Sequence, residues 1–118
     1  MRDKPKPTSF FYAPISQVET TWRPRADIYR TSSGWLLKFE LAGVRPGDVS
    51  ICITGNTVNV GGMRRDCMME EDCSYYCMEI SYNRFERSIE LPCDLSQAQF
   101  ATEFREGILL VRITAEGR

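Results

Sequence analysis

From residue 22 onward, apolar and polar positions alternate with a period of two, and the alternation breaks wherever Gly and Pro cluster. Trp35 to Leu41 is the cleanest run: Trp35, Leu37, Phe39 and Leu41 share one face, with Lys38 and Glu40 on the other, as in a half-buried strand. Before it, Arg25 to Arg30 is a shorter strand with Ala26, Ile28 and Arg30 on one side, and its terminal charges suit a sheet edge. Val49, Ile51 and Ile53 define another strand, Gly55-Asn56 a hairpin turn, and Thr57 to Val60 the returning arm, which Gly61-Gly62 is expected to end. Phe85, Arg87, Ile89 and Leu91 alternate up to Pro92, which cannot donate to a ladder and so closes that strand. Phe100 to Phe104 and Ile108 to Ile113 follow around a Glu106-Gly107 turn. So many short alternating segments predict an all-β sandwich or barrel.

Two stretches break the pattern. Met63 to Asn83 is long for a connection in a compact domain, so it should be functional or contain an element. Tyr75 to Ser81 is the strand expected within it, but nothing adjacent in sequence pairs with it, and its partner must be distant or on another chain. The charged groups Arg64-Arg65-Asp66 and Glu70-Glu71-Asp72 are read as a solvated loop. Residues 1–21 combine Pro5, Pro7 and Pro14 with Phe10, Phe11, Tyr12, Ile15, Val18 and, just beyond, Trp22, in no sustained period. A loosely ordered arm with this much apolar content is expected to bind apolar surface, its own or another chain's; a tag or linker remnant packed on the domain is the plainer reading.

With 118 residues the chain is one domain's worth: an arm over 1–21, a sandwich over 22–113 and a stub over 114–118. The 15 basic and 16 acidic residues nearly balance, which offers no electrostatic case for nucleic acid or an anionic membrane. No apolar run approaches a membrane span and the start has no signal-peptide core, so a cytoplasmic location is expected. Five cysteines at irregular spacing read as reduced thiols; Cys67, Cys73 and Cys77 are poor zinc spacings without histidine, and a redox-switched disulfide is the alternative to chance thiols. The absence of histidine removes the commonest general base and metal ligand together, so no enzyme, metal or cofactor is expected.

The ordered segments resemble the α-crystallin domain of small heat-shock proteins. The resemblance rests on Trp22-Arg-Pro-Arg-Ala-Asp-Ile-Tyr, Phe39-Glu-Leu-Ala-Gly-Val-Arg-Pro-Gly-Asp-Val-Ser-Ile and Val58-Asn-Val-Gly-Gly-Met-Arg. Phe85-Glu-Arg-Ser-Ile-Glu-Leu-Pro and Gly107-Ile-Leu-Leu-Val complete it. The family's Leu-Pro-Gly stands here as Leu41-Ala42-Gly43, its alanine before the last turn as Thr102 and its asparagine before the turn glycine as Glu106. The resemblance implies an immunoglobulin-like β-sandwich. The spacing from Gly62 to Phe85 is similar to plant and bacterial members, in which the excursion carries a strand exchanged with a partner subunit. Dimer contacts are then implied at Ala26, Ile28, Tyr75, Tyr76, Met78, Ile80 and Arg87; for Arg87, a local bridge is the plainer alternative. Ile113-Thr114-Ala115 does not match the Ile-x-Ile or Ile-x-Val anchor that links relatives' dimers, so the resemblance implies a homodimer and leaves higher assembly open.

The family implies an ATP-independent holdase that binds unfolding client proteins. The residues fit it: no phosphate-cradling glycine motif is present, and two apolar surfaces are on offer. One is the arm, with Phe10, Phe11, Tyr12, Ile15 and Trp22. The other is a groove between Val49–Thr54 and Phe100–Phe104, lined by Ile51, Ile53, Phe100 and Phe104, all of which plain core packing would equally explain. The alternative from another class is a CS-type sandwich serving as a scaffold or co-chaperone module that docks on another protein.

Overall fold

The computed structural model describes residues 21–66 and 70–115. Seven strands follow in order: β1 (Ala26–Arg30), β2 (Gly34–Glu40), β3 (Val49–Thr54), β4 (Thr57–Arg64), β5 (Asn83–Glu90), β6 (Gln99–Arg105) and β7 (Ile108–Thr114). A single 3-10 turn, Pro46–Asp48, precedes β3. They form two antiparallel sheets, β1-β2-β7-β6 and β3-β4-β5. The fold is an all-β, immunoglobulin-like sandwich, with no α-helix among the described residues.

Register explains why the alternation was so clean. Leu37 pairs with Val111 and Phe39 with Leu109 in one sheet, while Val58 pairs with Ile89 in the other. These side chains, with Val60, Phe85 and Ile113, are almost wholly buried between the sheets. Because successive strand residues point to opposite faces, a one-residue slip would move this entire set into water, so the core itself holds the register. Leu41, Val44, Leu91 and Leu95, from the connecting segments, close the ends of the same cluster.

The β6–β7 turn takes the backbone into the left-handed region. Glu106 (φ 52°) and Gly107 (φ 80°) form the two-residue β6–β7 turn, and positive φ at both centres matches the right-handed twist of the flanking strands. Gly61-Gly62 does not end β4 as expected; the strand runs through both glycines to Arg64. The reason is a close approach: a Cβ on Gly62 would lie 2.0 Å from the Asp48 carbonyl oxygen and 2.8 Å from the Phe85 ring. Gly62 lets the chain pass the turn before β3 without leaving the ladder.

Candidate functional site

The sandwich has two open sides. The segment before β1 fastens one of them: Trp22 bridges to Phe85, donating its backbone N–H to the Arg84 carbonyl (3.2 Å) and accepting from Glu86 N–H (3.0 Å). Arg87 Nη1 donates to the Pro24 carbonyl at 2.8 Å. These contacts set β5 beside β1, so β3 and β6 are the edges on the opposite side.

Along that opposite side, Val49, Ile51, Ile53 and Phe104 are half-buried against the core, while Phe100 is 49% exposed. Thus Ile51, Ile53 and Phe104 are core-packed as well as edge residues, and Phe100 is the most exposed of the four. Among the described residues neither β3 nor β6 has a second neighbouring strand, so each presents an edge next to apolar side chains.

On the fastened side, β1 remains a sheet edge. Ala26 is half-buried; Ile28, on the same face as Leu37, is 42% exposed because it lies at the rim of the sheet. Arg87 points inward between Phe85 and Ile89, as the alternation requires, but it meets a backbone carbonyl rather than a carboxylate. Its Nε is shut off from solvent and has no hydrogen-bond partner among the described residues.

The excursion between β4 and β5 carries no strand among its described residues, so the strand expected at Tyr75 to Ser81 does not form within one chain. A strand exists only with a ladder partner, and neither sheet supplies one here. As a result Tyr75, Tyr76, Met78 and Ile80 are exposed, Tyr76 completely. Burial normally claims side chains of this size, and an exposed group of them marks an interaction surface.

Sequence reading began the sandwich at residue 22 but counted the Trp22 side chain with the arm's apolar surface; the structure packs that side chain on the domain. Its ring packs 5.2 Å from that of Phe85, and Nε1 donates to the Asn83 carbonyl at 3.3 Å. An indole anchored by a strand bridge and a ring contact belongs to the domain. Phe10, Phe11, Tyr12 and Ile15 lie outside the described residues, as does Cys67. Cys52, Cys73, Cys77 and Cys93 are free thiols, and no group of three or more metal-ligating side chains occurs among the described residues.

Sequence reasoning missed the polar contacts at the roots of the excursion. Arg65 grips Asp48 with two parallel hydrogen bonds, Nε to Oδ2 at 3.0 Å and Nη2 to Oδ1 at 3.2 Å. These bonds, with the positive charges of Arg65 and Arg45, hold the Asp48 carboxyl below its ordinary value despite an opposing contribution from desolvation. Counting outward from the Gly55-Asn56 turn brings Asp48 opposite Met63, two residues from Arg65, so this pair was within reach of register arithmetic.

The described residues thus form two antiparallel sheets with open edges, joined by a long excursion bearing exposed apolar residues. The chain matches the Hsp20/alpha crystallin family over residues 27–117 and belongs to it. Small heat shock protein C2 of Rickettsia felis is 33% identical over 98 residues, covering 83% of this chain and 64% of that protein. Spore protein SP21 of Stigmatella aurantiaca is 27% identical over 90 residues, 76% of this chain and 53% of its own length. The chain therefore spans only about half to two-thirds of the length of these relatives. Among solved structures, HSP18.5 from E. histolytica superposes with a TM-score of 0.68 at 29% identity, covering 80% of this chain and 88% of that one. Heat shock protein 16.0 from Schizosaccharomyces pombe gives 0.71 at 19% identity, with 83% and 89% covered, which speaks to the fold alone.

Proposed function

We propose that this protein is an ATP-independent holdase, which binds proteins as they unfold and keeps them from aggregating. The observation that carries this reading is the exposure of Tyr75, Tyr76, Met78 and Ile80 outside the sheets of a small heat-shock family member. Holding an unfolded chain is mass action and requires accessible apolar surface with many weak contacts, not a reaction. The β3–β6 side, with Ile51, Ile53, Phe100 and Phe104, is the second proposed surface: an extended client segment adds to a free edge while its side chains meet the half-buried apolar ones. Phe10, Phe11, Tyr12 and Ile15 of the arm are the third.

The same excursion is proposed to exchange between two copies of the chain, adding Tyr75 to Ser81 to the free edge of β1 near Ala26 and Ile28. Two observations support it. The segment has apolar side chains, and among the described residues it has no ladder and β1 is a sheet edge. Arg87, with its unmatched Nε on that side, is proposed to receive an acceptor from the second copy. A cytoplasmic location is proposed from the free thiols. No helix among the described residues is long and apolar enough to cross a membrane.

The test is turbidity of a heat-labile reporter enzyme in nucleotide-free buffer. Stoichiometric addition of this chain is expected to keep the solution clear, with no change on adding ATP. Turbidity that rises as it does without the chain would instead match a docking module that protects nothing by itself.

A further inference from the structure

Arg64, the last residue of β4, touches three separate parts of the chain. It is half-buried, and its register partner is Asn83, where the excursion rejoins the sheet with φ 73°. Its Nε donates to the Ala42 carbonyl at 3.0 Å and its Nη1 to the Ser81 carbonyl at 2.9 Å. Its guanidinium carbon lies 4.3 Å from the centroid of the Trp22 ring, whose own Nε1 donates to the Asn83 carbonyl. Ala42 is in turn braced by the β6–β7 turn: the neighbouring Leu41 N–H donates to the Gly107 carbonyl at 2.8 Å, and a Cβ on Gly107 would sit 3.1 Å from Ala42 Cα.

We propose that Arg64 is a positioning residue, a joint that fixes together the direction in which the chain joins the sandwich at Trp22 and the direction in which the excursion leaves and returns. The physical case is the shape of guanidinium. Only a planar fork donates to two carbonyls in one plane while its face covers an indole, so one side chain constrains three segments that the backbone alone would leave independent. Ala42, held by the β6–β7 turn, is the fixed point; Ser81 and Trp22 are the parts held to it. Trp22 and the returning root of the excursion at Ser81 are therefore held side by side. This goes beyond the holdase reading and is tested without any client.

The test labels two natural exposed thiols, Cys52 on β3 and Cys77 on the excursion, in the 118-residue chain carrying Cys67→Ser, Cys73→Ser and Cys93→Ala. Electron-spin distance measurement, diluted with unlabelled protein, then reads the spread of excursion positions. Arg64→Ala is expected to broaden the Cys52–Cys77 distribution about twofold, as a locally opened segment would. In a Trp35→Phe background it should also move Trp22 emission to longer wavelength. Arg64→Lys keeps the charge over the indole but not the fork, and should give an intermediate width with Trp22 emission unchanged. An Arg64→Ala distribution as narrow as the parent's overturns the inference. So does a broadening accompanied by general loss of amide protection in β2 and β7, which marks a fold defect, or an Arg64→Lys width equal to the parent's, which removes the fork from the explanation.

Discussion

Gly62 and Asp48 meet where the backbone of β4 passes under the 3-10 turn, and the geometry makes a sharp distinction between two adjacent glycines. A methyl at Gly62 meets backbone oxygen and an aromatic ring, whereas one at Gly61 finds nothing nearer than the Phe85 carbonyl oxygen at 3.5 Å. Gly62→Ala is expected to destabilise the fold by about 1–3 kcal/mol through overpacking, while Gly61→Ala stays within about 0.5 kcal/mol of the parent; urea unfolding of the two variants reads the difference. Asp48 supplies a second prediction at this scale. Its folded carboxyl titrates below its unfolded value, so the stabilisation from Arg65 is fully present above the unfolded pKa, about 4, and is lost as pH falls through the folded one. Asp48→Asn should therefore lower the urea midpoint at pH 7, and the gap to the parent should close as the acid limb is descended. The pair is partly exposed, so added salt should narrow the same gap.

At the scale of elements, the seven strands were legible because one face of each had to be buried, and burial writes a period of two into the residues. β2 and β7 were unmistakable for that reason. Three things were not legible, each for its own cause. Gly61-Gly62 read as a strand end because sequence cannot tell a glycine that breaks a ladder from one that lets another backbone pass close by. The Trp22 side chain was counted with the arm's apolar surface because a single-residue bridge leaves no periodicity to detect. Tyr75 to Ser81 has the composition of a strand, but composition is a statement about side chains and a ladder is a statement about neighbours; the single chain has no neighbour to offer. Arg87 was correctly placed inward, yet its acceptor, the Pro24 carbonyl, came from a segment whose path no local pattern encodes. Excising residues 72–80 and joining the ends with a short Gly-Ser bridge tests the proposed exchange. The sandwich should unfold at nearly the parent's urea midpoint, because these residues contribute nothing to the core, while light scattering should report a monomer in place of a dimer. A dimer that survives the excision would place the interface elsewhere.

For the whole molecule, the most deeply buried side chains come from β2, β4, β5, β7 and the connecting segments, while the surfaces proposed to bind lie at sheet edges, where Ile51, Ile53 and Phe104 pack against that core, and on the excursion. Binding surfaces of that kind need not be disassembled or rebuilt to act, which is why no nucleotide-driven step enters the account. Membership of the Hsp20/alpha crystallin family and the exposed apolar residues support the central proposal, that the protein recognises the unfolded state of other proteins. The most direct measurement is size-exclusion chromatography with in-line light scattering. A reporter enzyme is mixed with this chain in nucleotide-depleted buffer, before and after the reporter alone is brought to its unfolding temperature. The account predicts separate peaks before heating and, after it, a soluble peak of higher mass containing both proteins. Elution of the chain by itself while the heated reporter precipitates would contradict the claim, as would equal co-elution with the native reporter.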